Sequence, residues 1–125
     1  MRLFIAILWV VAIAILHAIP GSDIPETSLL DLFHLDKFIH AILFLVGFYL
    51  FATALVGQQK KGIIRYIVIA FIVYGMVLEV LQGLFFVERS ADALDWLADT
   101  VGVFLGLWVF KKFPFVVPTN SAKKD

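Results

Sequence analysis

His40, Glu79, Gln82 and Asp99 stand inside stretches of sequence that are otherwise apolar. An Asp at the centre of a membrane helix costs about 2.5–3.5 kcal/mol on insertion scales, and less toward the interface. Such groups must face one another or water. Asp36, Lys37, Arg89, Asp92 and Asp95 lie close by in sequence. Asp36 and His40 are four apart and Glu79 and Gln82 three apart, so on helices each pair shares a face. Asp92, Asp95, Asp99, Gly102 and Gly106 step by three or four and form one stripe. Carboxylates beside an imidazole can hold a proton, an amine-bearing ligand or a cation, and His40 with Glu79 would serve as a general acid–base pair. The oxygen-rich donor set suits Mg²⁺, Ca²⁺ or Mn²⁺, and His40 would admit Zn²⁺. There is no H-E-x-x-H pair, no serine nucleophile elbow and no phosphate-binding glycine loop. The absence of cysteine removes thiolate ligands and thiol nucleophiles.

Plainer roles compete at several positions. Asp36, Asp92 and Asp95 are well placed to cap helix N-termini. Lys37 can snorkel to lipid headgroups, and Arg89 can form a structural ion pair with an aspartate. Gly102 and Gly106 make a G-x-x-x-G of the kind that lets helices approach closely. His17, on an apolar stretch, and His34, in a connecting segment, read as bland. Capping does not account for His40, Glu79, Gln82 and Asp99, which fall within the helices.

The elements that carry these residues are membrane helices. Of 125 residues, 62% are hydrophobic and 16% charged, against about 45–50% and about 25% in a soluble domain. Mean hydropathy is +1.01. Four apolar stretches, about 3–19, 38–56, 63–87 and 96–113, each approach the ~20 residues that cross a ~30 Å hydrocarbon layer. Backbone groups in lipid must be satisfied internally, and none of the stretches alternates like a barrel strand, so these are helices. The predicted fold is an all-α four-helix transmembrane bundle over residues 1–113, with a polar tail at 114–125.

Arg2, Lys60, Lys61, Arg65, Lys111, Lys112, Lys123 and Lys124 fall on one side of this arrangement. Asp23, Glu26, Asp31, Asp36, Glu88, Asp92 and Asp95 fall on the other. The positive-inside rule then places both termini in the cytoplasm. A signal peptide ending near Ser22 is the alternative for the first stretch, but the run is long and lacks a clean small-x-small cleavage site. Formal net charge is +0 and no basic stripe is present, which argues against nucleic acid. A faint echo between Leu35–Gly47 and Leu94–Gly106 would relate two helix pairs as a repeat. At ~1.5 Å per residue, His40, Glu79 and Asp99 sit at one level, in a shallow cavity between the second, third and fourth helices that opens to the outside.

Pro20-Gly21, Leu35-Asp36-Lys37-Phe38-Ile39-His40, Glu79-Val80-Leu81-Gln82 and Arg89-Ser90-Ala91-Asp92, followed by Asp95, Asp99, Gly102 and Gly106, resemble the VanZ-like family. That family's pattern is D-K-x-x-H, then E-x-x-Q, then R-x-x-D-x-x-D-x-x-x-N-x-x-G-x-x-x-G. The likeness runs from about Pro20 to Gly106. Asp99 stands where the pattern usually has asparagine, which adds an ionisable group, and Phe44 stands where a hydroxylated aromatic is often found. The resemblance implies a bacterial cytoplasmic membrane, an envelope role linked through the family's name to resistance to the glycopeptide teicoplanin, and a shared site of Asp36, Lys37, His40, Glu79, Gln82, Arg89, Asp95 and Asp99.

The expected function is binding of a lipid-linked envelope precursor or glycopeptide-related ligand at the outer leaflet. Lys37 and Arg89 would hold anionic headgroups, and Glu79, Asp95 and Asp99 protons or amines, with Asp92 at the rim. Two alternatives are an enzyme acting on envelope lipid or peptidoglycan precursor, with His40 and Glu79 as its acid–base pair, and a proton-coupled transporter or flippase. Four short helices are few for alternating access unless the chain forms a homo-oligomer.

Overall fold

The computed structural model describes residues 1–19, 35–55, 62–85 and 91–113. These form four helices: α1 (Arg2–His17), α2 (Leu35–Leu55), α3 (Ile63–Phe85) and α4 (Ala93–Lys112). No strand occurs among the described residues. Three of the helices, α2, α3 and α4, are long and apolar enough to cross a membrane. The first is shorter than the apolar stretch suggests. It stops at His17 with Ala18 as its cap, because Pro20 disfavours helical geometry at the residue before it. Its 16 residues span only ~24 Å at ~1.5 Å per residue.

Two helices begin earlier than the hydropathy indicates, and for one reason. The turn Leu35-Asp36-Lys37 and the turn Ala93-Leu94-Asp95 are polar, yet helical. Acids at a helix N-terminus complement the orphan N–H groups and the positive end of the dipole. Asp92 caps α4 directly, accepting from the Leu94 N–H at 2.8 Å.

Burial is inverted relative to a soluble protein. The buried set includes His17, His40, Glu79, Gln82, Asp95 and Asp99, whereas Phe4, Phe38, Val80, Leu97, Phe104 and Trp108 face outward. Water would not tolerate so continuous an apolar exterior, and hydrocarbon would, which marks a membrane protein. Inside, Ile13, Phe44, Phe48, Phe71 and Val103 form the apolar core, with Phe71 meeting Phe44, Phe48 and Phe51 edge-on at 5.5–6.2 Å between ring centroids.

The most intimate pair is α2 with α4. A Cβ on Gly102 would collide with the Ala41 carbonyl, and one on Gly106 would lie 2.8 Å from the Leu45 oxygen. These glycines let two backbones touch, as small residues do where helices pack without a hydrophobic drive. Trp9 ties α1 to α2 and Tyr74 ties α3 to α1: Trp9 donates to Leu43 O at 3.0 Å and Tyr74 to Val10 O at 2.7 Å.

Candidate functional site

All four helices deliver polar side chains to one end of the bundle, formed by the C-terminal ends of α1 and α3 and the N-terminal ends of α2 and α4. Close α2–α4 packing sets the centre of the site. His40 precedes Ala41, and Asp99 lies one turn before Gly102. His40 Nδ1 donates to Asp99 Oδ1 at 3.0 Å, with both residues buried and Asp99 completely so. From α3, Glu79 brings Oε1 to 3.9 Å from His40 Nδ1. Its other oxygen accepts from the backbone N–H of Asp92 at 3.2 Å. From α1, His17 brings Nε2 to 3.9 Å from the same Glu79 Oε1. The rings of His17 and His40 meet edge-on, 4.7 Å between centroids.

His17 was the residue least visible in the sequence. It ends a hydrophobic helix, and nothing in its spacing links it to Glu79. A usable signal was its placement in the last turn of α1, at the same end as Asp36 and Asp99, where the negative pole of the helix dipole favours a basic group. Its ring is held firmly. Nδ1 lies 2.8 Å from the Ile13 carbonyl, and since a carbonyl only accepts, Nδ1 carries the proton. Gln82 completes the support by donating Nε2–H to the His17 carbonyl at 2.8 Å. Gln82 thus positions α1 rather than joining the titratable cluster.

Nearer the surface is an ion-pair group. Lys37 Nζ lies 2.8 Å from Asp95 Oδ1 and 3.0 Å from Asp92 Oδ2. The role expected for Lys37 alone, holding an anionic headgroup, therefore competes with two carboxylates. The Leu94 N–H, followed by the Lys37 ammonium, holds the Asp92 carboxyl below the usual carboxylate range. Asp36, half-exposed at its side chain, faces the far nitrogen of His40 at 3.9 Å. Arg89 lies outside the described residues, as do Glu88 and His34.

The structure thus brings together Asp36, Lys37, His40, Glu79, Gln82, Asp92, Asp95 and Asp99, and adds His17. Two buried oxygens, Glu79 Oε1 and Asp99 Oδ2, have no hydrogen-bond partner among the described residues. Unsatisfied carboxylate oxygens in an apolar interior cost several kcal/mol. Such a centre can hold protons or a cation: donor atoms of His17, His40, Glu79 and Asp99 converge closely enough to share one, and so do those of Asp36, His40 and Asp95. Comparison with protein-family models, with curated proteins and with solved structures gives no match to this chain.

Proposed function

We propose that the chain is a four-pass protein of the bacterial cytoplasmic membrane, of the VanZ-like kind, with both termini in the cytoplasm and its polar centre at the extracytoplasmic end. The end of the bundle away from the site carries Arg2, Arg65, Lys111 and Lys112, whereas the site end carries Asp36, Asp92 and Asp95. That asymmetry is the one the positive-inside rule reads. The motif order from Asp36 to Gly106 supports the family reading.

The centre acts on a headgroup presented at the outer leaflet, belonging to an envelope lipid or a related glycopeptide precursor. The observation that carries this reading is the continuity of two layers. A partly accessible Lys37–Asp92 pair, with Asp95 buried behind it, adjoins a buried His40–Asp99–Glu79 group, with Asp92 bonded to both through its side chain and its backbone N–H. An anionic headgroup engages Lys37 by displacing a carboxylate, and an amine engages the carboxylates so released. An enzyme acting on such a lipid is the second reading, favoured by the 3.0 Å contact between His40 and Asp99. That contact orients an imidazole as a carboxylate does in general-base catalysis. Beneath the centre the core is aromatic and aliphatic, which gives a transporter no polar path among the described residues.

Native mass spectrometry of the detergent-solubilised chain tests the binding reading. A phospholipid or lipid-linked precursor retained at one equivalent, and lost from Lys37→Ala, is the expected result. Lipid retained equally by Lys37→Ala, or none retained above bulk annular lipid, contradicts it.

A further inference from the structure

The buried centre has a composition that neither hydrogen bonding nor headgroup recognition explains. Each helix contributes one side chain able to ligate a metal: His17 from α1, His40 from α2, Glu79 from α3 and Asp99 from α4. All four residues are at least nine-tenths buried. One donor atom from each lies within 4.8 Å of every other. Glu79 Oε1 is 3.9 Å from an imidazole nitrogen on either side, too far for a hydrogen bond to either. Asp99 Oδ2 is fully buried and bonded to nothing described.

We propose that His17, His40, Glu79 and Asp99 bind a divalent transition-metal ion of the zinc class at the centre of the four-helix bundle. Zinc takes nitrogen at about 2.0–2.1 Å and carboxylate oxygen at about 2.0–2.2 Å in tetrahedral sites. A tetrahedron of that size has edges of about 3.4 Å. The contacts of 3.0, 3.9 and 3.9 Å between neighbouring donors bracket that value and every other donor pair lies within 4.8 Å, so shifts of up to roughly 1 Å at a donor complete the shell. Two nitrogens and two carboxylates are a donor set for Zn²⁺, Mn²⁺, Fe²⁺ or Co²⁺. Mg²⁺ and Ca²⁺ demand more oxygens than the centre holds.

The groups around the four ligands suit the same ion. His17 carries its proton on Nδ1, fixed by the Ile13 carbonyl, which directs Nε2 at Glu79. His40 presents Nδ1 to the centre and turns Nε2 toward the Asp36 carboxylate. A metal-bound imidazole commonly gives its other N–H to a carbonyl or carboxylate, as His17 gives Nδ1–H to Ile13 at 2.8 Å; His40 Nε2 faces Asp36 at 3.9 Å, beyond hydrogen-bond range. Ligation through Nδ1 replaces the His40–Asp99 hydrogen bond and leaves the ring's one proton on Nε2, on the side of Asp36. Charge is also favourable: Asp36, Glu79, Asp92, Asp95 and Asp99 face the single cation Lys37 among the described residues at this end. Asp36, His40 and Asp95 form a second, partly exposed group of ligating atoms that shares His40 with the first, and so offers a route from the surface. The proposal depends only on this geometry, not on which face of the membrane the site addresses or on the headgroup reading.

The test is titration of the full chain, purified in detergent and stripped with chelator, with Co²⁺ followed by Zn²⁺. One equivalent of Co²⁺ with the intense visible absorption of a tetrahedral ion, displaced by Zn²⁺ but not by excess Mg²⁺, is expected. Glu79→Gln and Asp99→Asn weaken binding by more than the about 10–100-fold typical of losing only an orienting partner, and Leu97→Ala, on the exposed face of α4, leaves it unchanged. Absence of the tetrahedral spectrum, displacement by Mg²⁺, or unaltered affinity in Glu79→Gln and Asp99→Asn overturns the proposal. Should those variants fail to fold, the wild-type chain decides by imidazole nitrogen resonances, since it has 3 histidines. On adding Zn²⁺ the His17 and His40 rings shift while His34 does not, and a shift of His34 alone, or of none, refutes the site.

Discussion

Replacing Gly102 with alanine links the packing of the bundle to the geometry of its centre. The added Cβ would lie 2.9 Å from the Ala41 carbonyl carbon and 3.0 Å from its Cα, and closer still to the oxygen. Carbon atoms settle at about 3.5–4.0 Å, and the obstacle is backbone, which cannot swing aside. Helices α2 and α4 must therefore part by about 0.5–1 Å. The same pair holds His40 Nδ1 3.0 Å from Asp99 Oδ1, and parting carries that contact to about 3.5–4 Å, beyond hydrogen-bond range. Overpacking costs about 1–3 kcal/mol, and a hydrogen bond to a charged group contributes about 1.5–3 kcal/mol. The expected loss is about 2.5–6 kcal/mol, measured by SDS-induced unfolding in mixed micelles followed by circular dichroism. Val101→Ala, one residue away on the exposed face, should change stability by less than about 0.5 kcal/mol. If Gly102→Ala proves as stable as Val101→Ala, close α2–α4 contact does not set the site.

Gly75→Ala should act on the centre from α3, because its Cβ would lie 2.9 Å from Asp99 Oδ2 and 3.2 Å from Phe44; a loss of about 1–3 kcal/mol in the same unfolding assay is expected. Asp92→Ala removes the cap on the Leu94 N–H and should cost about 0.5–2 kcal/mol, visible as a lower melting temperature in detergent. Asp92 also predicts a pH dependence. Its carboxyl is held down by Leu94 N–H and Lys37, so its contribution is whole above the ordinary aspartate value of ~3.9 and is lost as pH falls through its depressed folded value. The stability difference between wild type and Asp92→Asn should therefore shrink in melts below about pH 4. Since the chain has no cysteine, single cysteines at Ser22 and Ser121 in intact cells test the orientation: the first should react with a membrane-impermeant maleimide and the second should not.

The helices were legible because lipid imposes a simple rule on composition. Long apolar runs around Phe44, Phe71 and Val103 announce spans whatever their neighbours do. The helix starts were harder to read, because the opening turns at Asp36 and Asp95 are polar and hydropathy alone excludes them. Much of the site was legible for the converse reason: His40, Glu79, Gln82 and Asp99 interrupt apolar runs, and that is costly unless they meet. The spacing of Gln82 sets it beside Glu79, yet it bonds the His17 carbonyl, a partner 65 residues away that no local pattern encodes. His17 itself lacked any spacing signal, because its partners Glu79 and His40 reach it only through the packing of α1 on the other helices. The pairing of Lys37 with two aspartates, more than 50 residues distant, was hidden for the same reason.

Titratable side chains from separate helices act in this protein as one buried unit. A double-mutant cycle on His40 and Asp99, using His40→Ala, Asp99→Ala and the double variant in mixed micelles, measures this directly. The 3.0 Å contact predicts a coupling energy of about 0.5–3 kcal/mol. Single-variant losses that simply add, to within about 0.3–0.5 kcal/mol, would contradict it.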